Sequence, residues 1–271
     1  MFFKRRQPSS PSPAAAGPGL ASDPAGGAWR FAQGLIWVSQ ARVGAGWWSS
    51  AHAQFAESGL WPVFLSGLRP ESPLRPWETG ELRPQMITTD PGDHDPAVLL
   101  RDWFDGHIPD DPEELDEVGA NVAPFFDGWP GFAPPGTGGT DPERHAAEVA
   151  ELLVDFDRVT DARLGLARCP RGADLPALIG WTGPVNHEND TARFSAVLRS
   201  WEDRFGARLI ALGFDTMILS VAAPPRDRDH ARLVAAEHLA FCPDTITQGT
   251  ESLEDYAAEL VGAEQWEFWW D

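Results

Sequence analysis

The chain has 271 residues, 42% hydrophobic and 23% charged, which is enough to bury a core as one large domain or two small ones. Its formal net charge is −20, and so acidic a surface repels a phosphate backbone, which argues against nucleic-acid binding. The only lysine is Lys4, which excludes a P-loop lysine and a Schiff-base lysine from the folded part of the chain.

Cysteine usage and hydropathy predict a cytoplasmic protein. Cys169 and Cys242 are too few for a disulfide framework and suit a reducing compartment. The chain begins Met-Phe-Phe-Lys-Arg-Arg, but Pro, Ser, Ala and Gly follow instead of the apolar stretch of an export signal. Apolar runs in the sequence are shorter than the roughly 20 residues of a membrane span. We therefore expect neither export nor membrane binding.

The first part of the chain divides at residue 28. Residues 1–27 are rich in Pro, Ala, Ser and Gly, which predicts a disordered tail. Residues 28–159 form an acidic N-terminal half, in which we predict strands over 31–38 and 61–65 and a short helix over 49–58. The Pro-rich segment 69–94 predicts ordered but irregular structure.

Two Asp-Pro pairs each predict the start of a helix, because Pro is favoured at the first helical position. The helix after Asp95 has Val98, Leu99, Trp103 and Phe104 as its expected apolar face. The helix after Asp141 shows helical spacing of apolar residues. Between the two, residues 110–118 predict an acidic helix or turn. Residues 90–160 carry 18 acidic side chains against three arginines, a net charge of −15.

Residues 160–271 predict a C-terminal α+β domain, which either stands alone or packs with 28–159 as one unit. The predicted strands are 162–167, 207–214, 217–222 and 266–271, and the predicted helices are 191–205, 227–241 and 252–262. Asp190 or Thr191 is expected to cap the helix over 191–205, which Gly206 is expected to end, and Ser252 is expected to cap the helix over 252–262. This order predicts a mixed, largely antiparallel sheet with helices packed on it.

The sequence is rich in tryptophan, with 13 Trp residues, and ends on a tryptophan cluster. In the predicted terminal strand, Trp266, Phe268 and Trp270 alternate on one face and Trp269 lies on the other. Two interpretations are open: a core strand, or an exposed strip that docks a partner.

Seven segments of the C-terminal part are distinctive in sequence: Gly180-Trp-Thr-Gly-Pro-Val-Asn-His-Glu-Asn-Asp-Thr191, Leu198-Arg-Ser-Trp-Glu-Asp-Arg-Phe-Gly-Ala207, Gly213-Phe-Asp-Thr216, Leu219-Ser-Val-Ala-Ala-Pro-Pro225, Ala236-Glu-His238, Phe241-Cys-Pro-Asp244 and the terminal run. In this order they resemble a bacterial family called domain of unknown function 4253. The resemblance covers residues 160–271, and Gly59-Leu-Trp-Pro62 resembles the usual N-terminal half of such proteins. It implies an architecture but supplies no catalytic residues.

Common catalytic motifs are absent from the sequence: there is no G-x-S-x-G, H-E-x-x-H or C-x-x-C. His238 and Cys242, four residues apart on a predicted helix, suit either a buried core or a metal pair completed by His187 or Asp244. The Asp-rich turn around His94 lacks the EF-hand pattern, so we interpret it as a solvated turn. We predict no metal and no cofactor.

The loop over 181–190 is the best candidate site. His187 is a candidate acid or base, whereas Asp190 suits a helix cap and Asp215 a hairpin turn. The candidate residues for ligand or partner binding are Trp181, Asn186, His187, Asp190, Asp215, His238 and Trp269.

The sequence favours a non-catalytic protein-interaction module that binds a basic partner, for example an immunity-type protein that neutralises a basic toxin. The concentration of negative charge, the many aromatic residues and the missing catalytic motifs support this prediction. The alternative is a small-ligand-binding protein or a hydrolase-like enzyme that uses the 181–190 loop around His187.

Overall fold

The computed structural model describes residues 20, 29–44, 46–69, 71–72, 74–108, 119–155 and 162–271. Apart from Leu20, the tail predicted over 1–27 lies outside these residues, as does the segment 110–118. The described strands are β1 (Trp29–Ala32), β2 (Ile36–Ser39), β3 (Leu60–Leu65), β4 (Arg163–Arg168), β5 (Ala207–Leu212), β6 (Thr216–Val221) and β7 (Gln265–Trp269).

All seven strands belong to one sheet, in the order β1-β2-β4-β3-β5-β6-β7. Only the central pair β3–β5 is parallel, and the other neighbours pair antiparallel. Strand β3 comes from the N-terminal half and lies between β4 and β5. The sheet therefore joins strands from both sides of the boundary that the sequence predicts near residue 160. The predicted α+β class, with a mixed and largely antiparallel sheet, is confirmed.

Helices surround this sheet. They are α1 (Trp47–His52), α2 (Phe55–Ser58), α3 (Pro96–Asp105), α4 (Pro142–Asp155), α5 (Leu175–Ile179), α6 (Thr191–Phe205), α7 (Arg228–Phe241), α8 (Asp244–Thr247) and α9 (Leu253–Leu260). Helix α4 packs on β5 and β6, α6 packs on β5, and α3 and α9 both pack on α7. None of these described helices is long and apolar enough to cross a membrane.

The strand predicted over 31–38 is instead a hairpin. Gln33 and Gly34 both have positive φ, 49° and 74°, which is the conformation that a tight turn between β1 and β2 requires. The predicted apolar face of α3 needs a partial correction: Phe104 is buried as predicted, but Leu100 is buried as well, whereas Val98 is 40% exposed. The face is therefore rotated from the predicted one.

The C-terminal aromatic residues are core residues. Trp266, Phe268 and Trp270 are buried, and Trp201 lies 5.5 Å from Phe268 in a stacked arrangement. Their neighbour Trp269 is 37% exposed. The predicted alternation in the terminal strand is thus confirmed.

Candidate functional site

The loop that leads from α5 to α6 is fixed at both ends. Gly180 ends α5 in the left-handed conformation, and its carbonyl accepts a 2.7 Å hydrogen bond from the backbone of Arg83. The buried Trp181 donates from Nε1 to the Gly213 carbonyl, which lies at the end of β5. Candidate residue Trp181 therefore anchors the loop to the sheet.

Asp190 fastens the other end of the loop. Its carboxylate caps α6 by accepting from the backbone of Ala192, and it also accepts bonds from Thr88 and Thr89. Burial opposes ionisation, but the bonds from Thr89 and Thr88 outweigh it and hold the pKa of Asp190 below its usual value. These contacts give Asp190 a structural role, as a capping residue would have.

His187 contacts a carboxylate that lies 57 residues further along the chain. Its Nε2 is 3.0 Å from Oδ2 of Asp244, the first residue of α8. Asp244 also accepts from Gln248 and from the backbone of Asp271, and its side chain is only 12% exposed. The fixed carboxylate orients the imidazole, whose side chain is 31% exposed.

His187 and Glu188 line a pocket of about 240 Å³, which we call the His187 pocket. The other lining residues are Asp102, Trp103, Gly106, His107, Phe194, Ala240, Phe241 and Pro243. Burial lowers the pKa of His107, and the neighbouring His187 lowers it further. At pH 7 the His107 ring is therefore neutral and presents both a donor and an acceptor.

The other side of the same loop lines a larger space of about 520 Å³, the Asp215 cleft. Its lining residues are Leu68, Glu81, Arg83, Met86, Thr182, Gly183, Val185, Asn186, Phe214, Asp215, Trp270 and Asp271. Asn186 donates to the Asp271 carbonyl at 2.8 Å. Burial raises the pKa of Asp215. Asn186 and Asp215 thus line one cleft, and His187 lines another.

His238 belongs to neither space. It is fully buried among aromatic rings, and Nδ1 lies 2.9 Å from the hydroxyl of Tyr256. Its Nε2 has no hydrogen-bond partner among the described residues. Burial, reinforced by the charge of Arg204, lowers the pKa of His238 well below its ordinary value. The ring is a neutral core residue that no partner or ligand reaches.

Cys242 is likewise a core residue. Its thiol donates to the carbonyl of Trp269 at 3.0 Å, and burial raises its pKa to about 12, so it is not a thiolate at neutral pH. Within the described ranges, no group of three or more His, Cys, Asp or Glu side chains is arranged to hold a metal ion. The metal interpretation of His238 and Cys242 has no support.

The Asp-rich turn around His94 is explained by local hydrogen bonds. Asp90 and Asp93 form a capping box around a short 3₁₀ helix, and Asp95 caps α3. His94 contacts the hydroxyl of Thr89 at 2.6 Å. These carboxylates serve as caps and need no cation.

Trp269 is the one candidate with a large exposed ring. Its carbonyl accepts from Cys242, and its backbone N–H lies 3.4 Å from the hydroxyl of Thr245. These contacts hold the backbone of Trp269 against α8 while its ring is partly solvent-exposed.

Sequence reasoning missed His107 and Arg83, which line these spaces, and Asp244 as the partner of His187. Each lies more than 50 residues from the loop residue that it joins, and no periodic pattern connects them. Asp244 lies three residues beyond the predicted end of the 227–241 helix, and connections between elements often carry binding residues.

Comparison with known proteins supports the C-terminal assignment. No curated protein and no solved structure matches the chain. Residues 163–271, from the first residue of β4 to the last residue of the sequence, match the model of a family described as a domain of unknown function. The residues that match this family, DUF4253, supply four of the seven described strands, β4 to β7.

Proposed function

We propose that the protein is a non-catalytic interaction module for a basic partner, and that the His187 pocket receives a cationic side chain of that partner. The observation that carries the proposal is the composition of the pocket. Two carboxylates, Asp102 and Glu188, lie beside the aromatic rings of Trp103 and Phe194, and no Arg or Lys is found among the described lining residues. Carboxylates and aromatic faces both attract a cation.

Both carboxylates keep room for a further partner. Asp102 contacts Arg101 at 3.0 Å, whereas Glu188 contacts Arg193 at 2.7 Å and also accepts from the backbone N–H of Asp190. A carboxylate has about four acceptor positions, so these contacts saturate neither group. The side chain of Asp102 is 62% exposed, and an exposed ion pair of this kind is weak. The neutral His107 adds an acceptor without repelling a cation.

The charge distribution of the whole chain favours the same class of partner. Arg171, Arg204 and Arg232 each pair with carboxylates of the same chain, so their charges are neutralised internally. Other acids are exposed to solvent, for example Glu57, Asp127 and Glu259. The resulting negative field accelerates the association of a basic protein. A protein that neutralises a basic toxin is one version of this function.

The proposed setting is the cytoplasm. Cys169 and Cys242 are both free thiols, as expected of a protein that works in a reducing compartment.

The proposal is tested with capped alanine-based pentapeptides that carry Arg, Lys, Met or Glu at the central position. Binding is followed by the NMR signals of the Trp103 indole and the His187 ring. We expect the Arg and Lys peptides to bind at these residues and the Met and Glu peptides not to bind. The double variant Asp102→Asn/Glu188→Gln should weaken binding about tenfold or more, since charge-assisted hydrogen bonds are lost.

A matched control distinguishes binding in the His187 pocket from attraction by the overall negative charge of the protein. Asp229→Asn/Glu148→Gln likewise neutralises two acids that pair with arginines, but neither of them lines the pocket. This control should bind nearly as well as the parent protein. Equal weakening in both double variants, or binding of the Met peptide as strong as that of the Arg peptide, would contradict the proposal.

The contact between His187 and Asp244 favours a second function, a hydrolase-like one, because a carboxylate-oriented imidazole is a competent general base. The described lining of the pocket contains no Ser, Thr or Cys, so water would be the nucleophile. A panel of nitrophenyl esters and phosphates tests this alternative. Hydrolysis that disappears in His187→Gln would support it, and an inactive parent protein would reject it for these substrates.

A further inference from the structure

The Asp215 cleft lies where the only parallel strands of the sheet end. Leu65 of β3 is in register with Leu212 of β5, and the next residue, Ser66, donates its backbone N–H to the Leu212 carbonyl. Beyond this point the two chain segments leave the sheet, and both Leu68 and Phe214 line the cleft. A crevice at the carboxyl ends of diverging parallel strands is a common place for small ligands.

One wall of the cleft is cationic. Arg83 precedes a short 3₁₀ helix, and its Nη1 donates to the backbone carbonyls of Gly80 and Leu82. Among the described residues, no carboxylate lies within ion-pair distance of Arg83, because Glu81 pairs with Arg75 instead. A guanidinium has five donors, so Arg83 keeps several for an anion in the cleft.

Another part of the lining accepts hydrogen bonds and attracts a cation. The carboxylate of Asp215 is half-buried, and no described cationic side chain pairs with it. Burial therefore raises its pKa, and an incoming ammonium group would offset this penalty. Asn186 uses its amide nitrogen to donate to Asp271, which leaves its amide oxygen as a second acceptor.

Apolar side chains also line the cleft. Phe214 is capped by the Arg75 guanidinium at 4.7 Å, which holds the ring in place. Met86 and Val185 also line the cleft, and Val185 is 41% exposed. The lining therefore combines one cation without a carboxylate partner, Arg83, with the carboxylates of Asp215 and Asp271, the paired Glu81 and apolar side chains.

We infer that the Asp215 cleft binds a small zwitterion, an apolar α-amino acid or short peptide, with its carboxylate on Arg83 and its ammonium group on Asp215 and Asn186. The volume of about 520 Å³ accommodates either ligand. This inference does not depend on the function of the His187 pocket, which shares no lining residue with the cleft.

The test titrates the full chain with leucine, phenylalanine and Leu-Leu, and follows the indole signal of Trp270 by NMR together with the heat of binding. Leucinamide, which lacks the carboxylate, and N-acetylleucine, which lacks the ammonium group, are the matched probes. We expect one of the zwitterions to bind and each blocked analogue to bind about tenfold or more weakly. The comparison of leucine with Leu-Leu distinguishes a free amino acid from a peptide.

Two variants test which side chain binds the carboxylate of the ligand and which binds its ammonium group. Arg83→Gln should remove the preference for leucine over leucinamide, and Asp215→Asn should remove the preference for leucine over N-acetylleucine. A merely structural role would weaken all ligands equally. Arg101→Gln and Asp229→Asn, outside the cleft, should change nothing. The inference is overturned if no zwitterion binds at millimolar concentration, if the blocked analogues bind equally well, or if both cleft variants behave like the controls.

Discussion

Arg204 and Glu237 form an ion pair in the protein interior, with 2.6 Å between Nη2 of Arg204 and Oε2 of Glu237. The Glu237 side chain is fully buried and that of Arg204 is 12% exposed. Glu237 also accepts hydrogen bonds from Nε1 of Trp201 and from the backbone N–H of Ala133. One carboxylate therefore joins α6, α7 and a segment of the N-terminal half.

Replacing this carboxylate should destabilise the fold strongly. Glu237→Gln keeps the size of the side chain but leaves the charge of Arg204 uncompensated in a buried site. We expect the free energy of unfolding in urea to fall by about 3 kcal/mol. The control is Glu254→Gln at the surface pair with Arg228 and Arg232, which should cost less than about 1 kcal/mol because solvent screens it. Similar losses in both variants would show that burial does not set the strength of the Glu237 pair.

The buried His238 should make the protein sensitive to acid. Its pKa is low in the folded protein but near 6.5 in the unfolded chain, so the unfolded chain binds a proton first as pH falls. Stability is therefore highest above about pH 6.5 and declines below it. His238→Gln should reduce the slope of unfolding free energy against pH in this range, whatever it does to stability at pH 8.

Other groups also change the pH dependence of stability below about pH 6.5, and one of them provides the control. His107 has a lowered pKa and acts in the same direction, whereas burial raises the pKa of Glu202, which acts in the opposite direction. His107→Gln should therefore also reduce the slope, but by less, because His107 is less deeply buried than His238. An unchanged slope in His238→Gln would disprove the assignment.

Adjacent residues of β7 should respond very differently to truncation. Phe268 is fully buried and stacks on Trp201, so Phe268→Ala should cost about 3–5 kcal/mol. Trp269 is 37% exposed. Trp269→Ala should lower the free energy of unfolding by only about 1 kcal/mol, because the backbone contacts of this residue remain. Thermal and urea unfolding measure both. A large loss in Trp269→Ala would mean that its ring supports the core.

Sequence patterns predicted the three longer helices of the C-terminal half well, whereas the short helices α5 and α8 were not predicted. Helix α6 covers the predicted residues 191–205, because its apolar spacing, the Asp190 cap and Gly206 all agree. The hairpin over 29–39 was missed, since a Gln-Gly turn is a weaker signal than Asn-Gly. The position of β3 between β4 and β5 could not be predicted either, because pairing between strands that are distant in sequence leaves no local pattern.

The candidate site was predicted only in part. The 181–190 loop does border two open spaces, but its residues divide between them, and His238 lies in the core. A histidine on an apolar helix face gives the same sequence signal whether it is buried or reactive. The partners that give His187 and Asp215 their surroundings come from chain segments far away in sequence, which only the tertiary structure brings together.

Gly180 should be essential to the shape of the Asp215 cleft. It adopts φ of 63°, and a Cβ there would overlap the backbone of Arg83 and Pro84. Gly180→Ala combines left-handed strain with this overlap, so we expect a loss of about 2–4 kcal/mol in unfolding free energy. The segment that carries Arg83 must also move, and leucine binding in the cleft should weaken.

Gly262→Ala is the matched control for this prediction. Gly262 has φ of 72° and lies two residues after the end of α9, but a Cβ there meets nothing within 4 Å. Its replacement should cost only about 1 kcal/mol, the strain of a left-handed alanine, and leave leucine binding unchanged. The difference between the two variants therefore measures the contact between Gly180 and the Arg83 segment. Equal losses would show that this contact contributes nothing, and that the two walls of the cleft are held together by other residues.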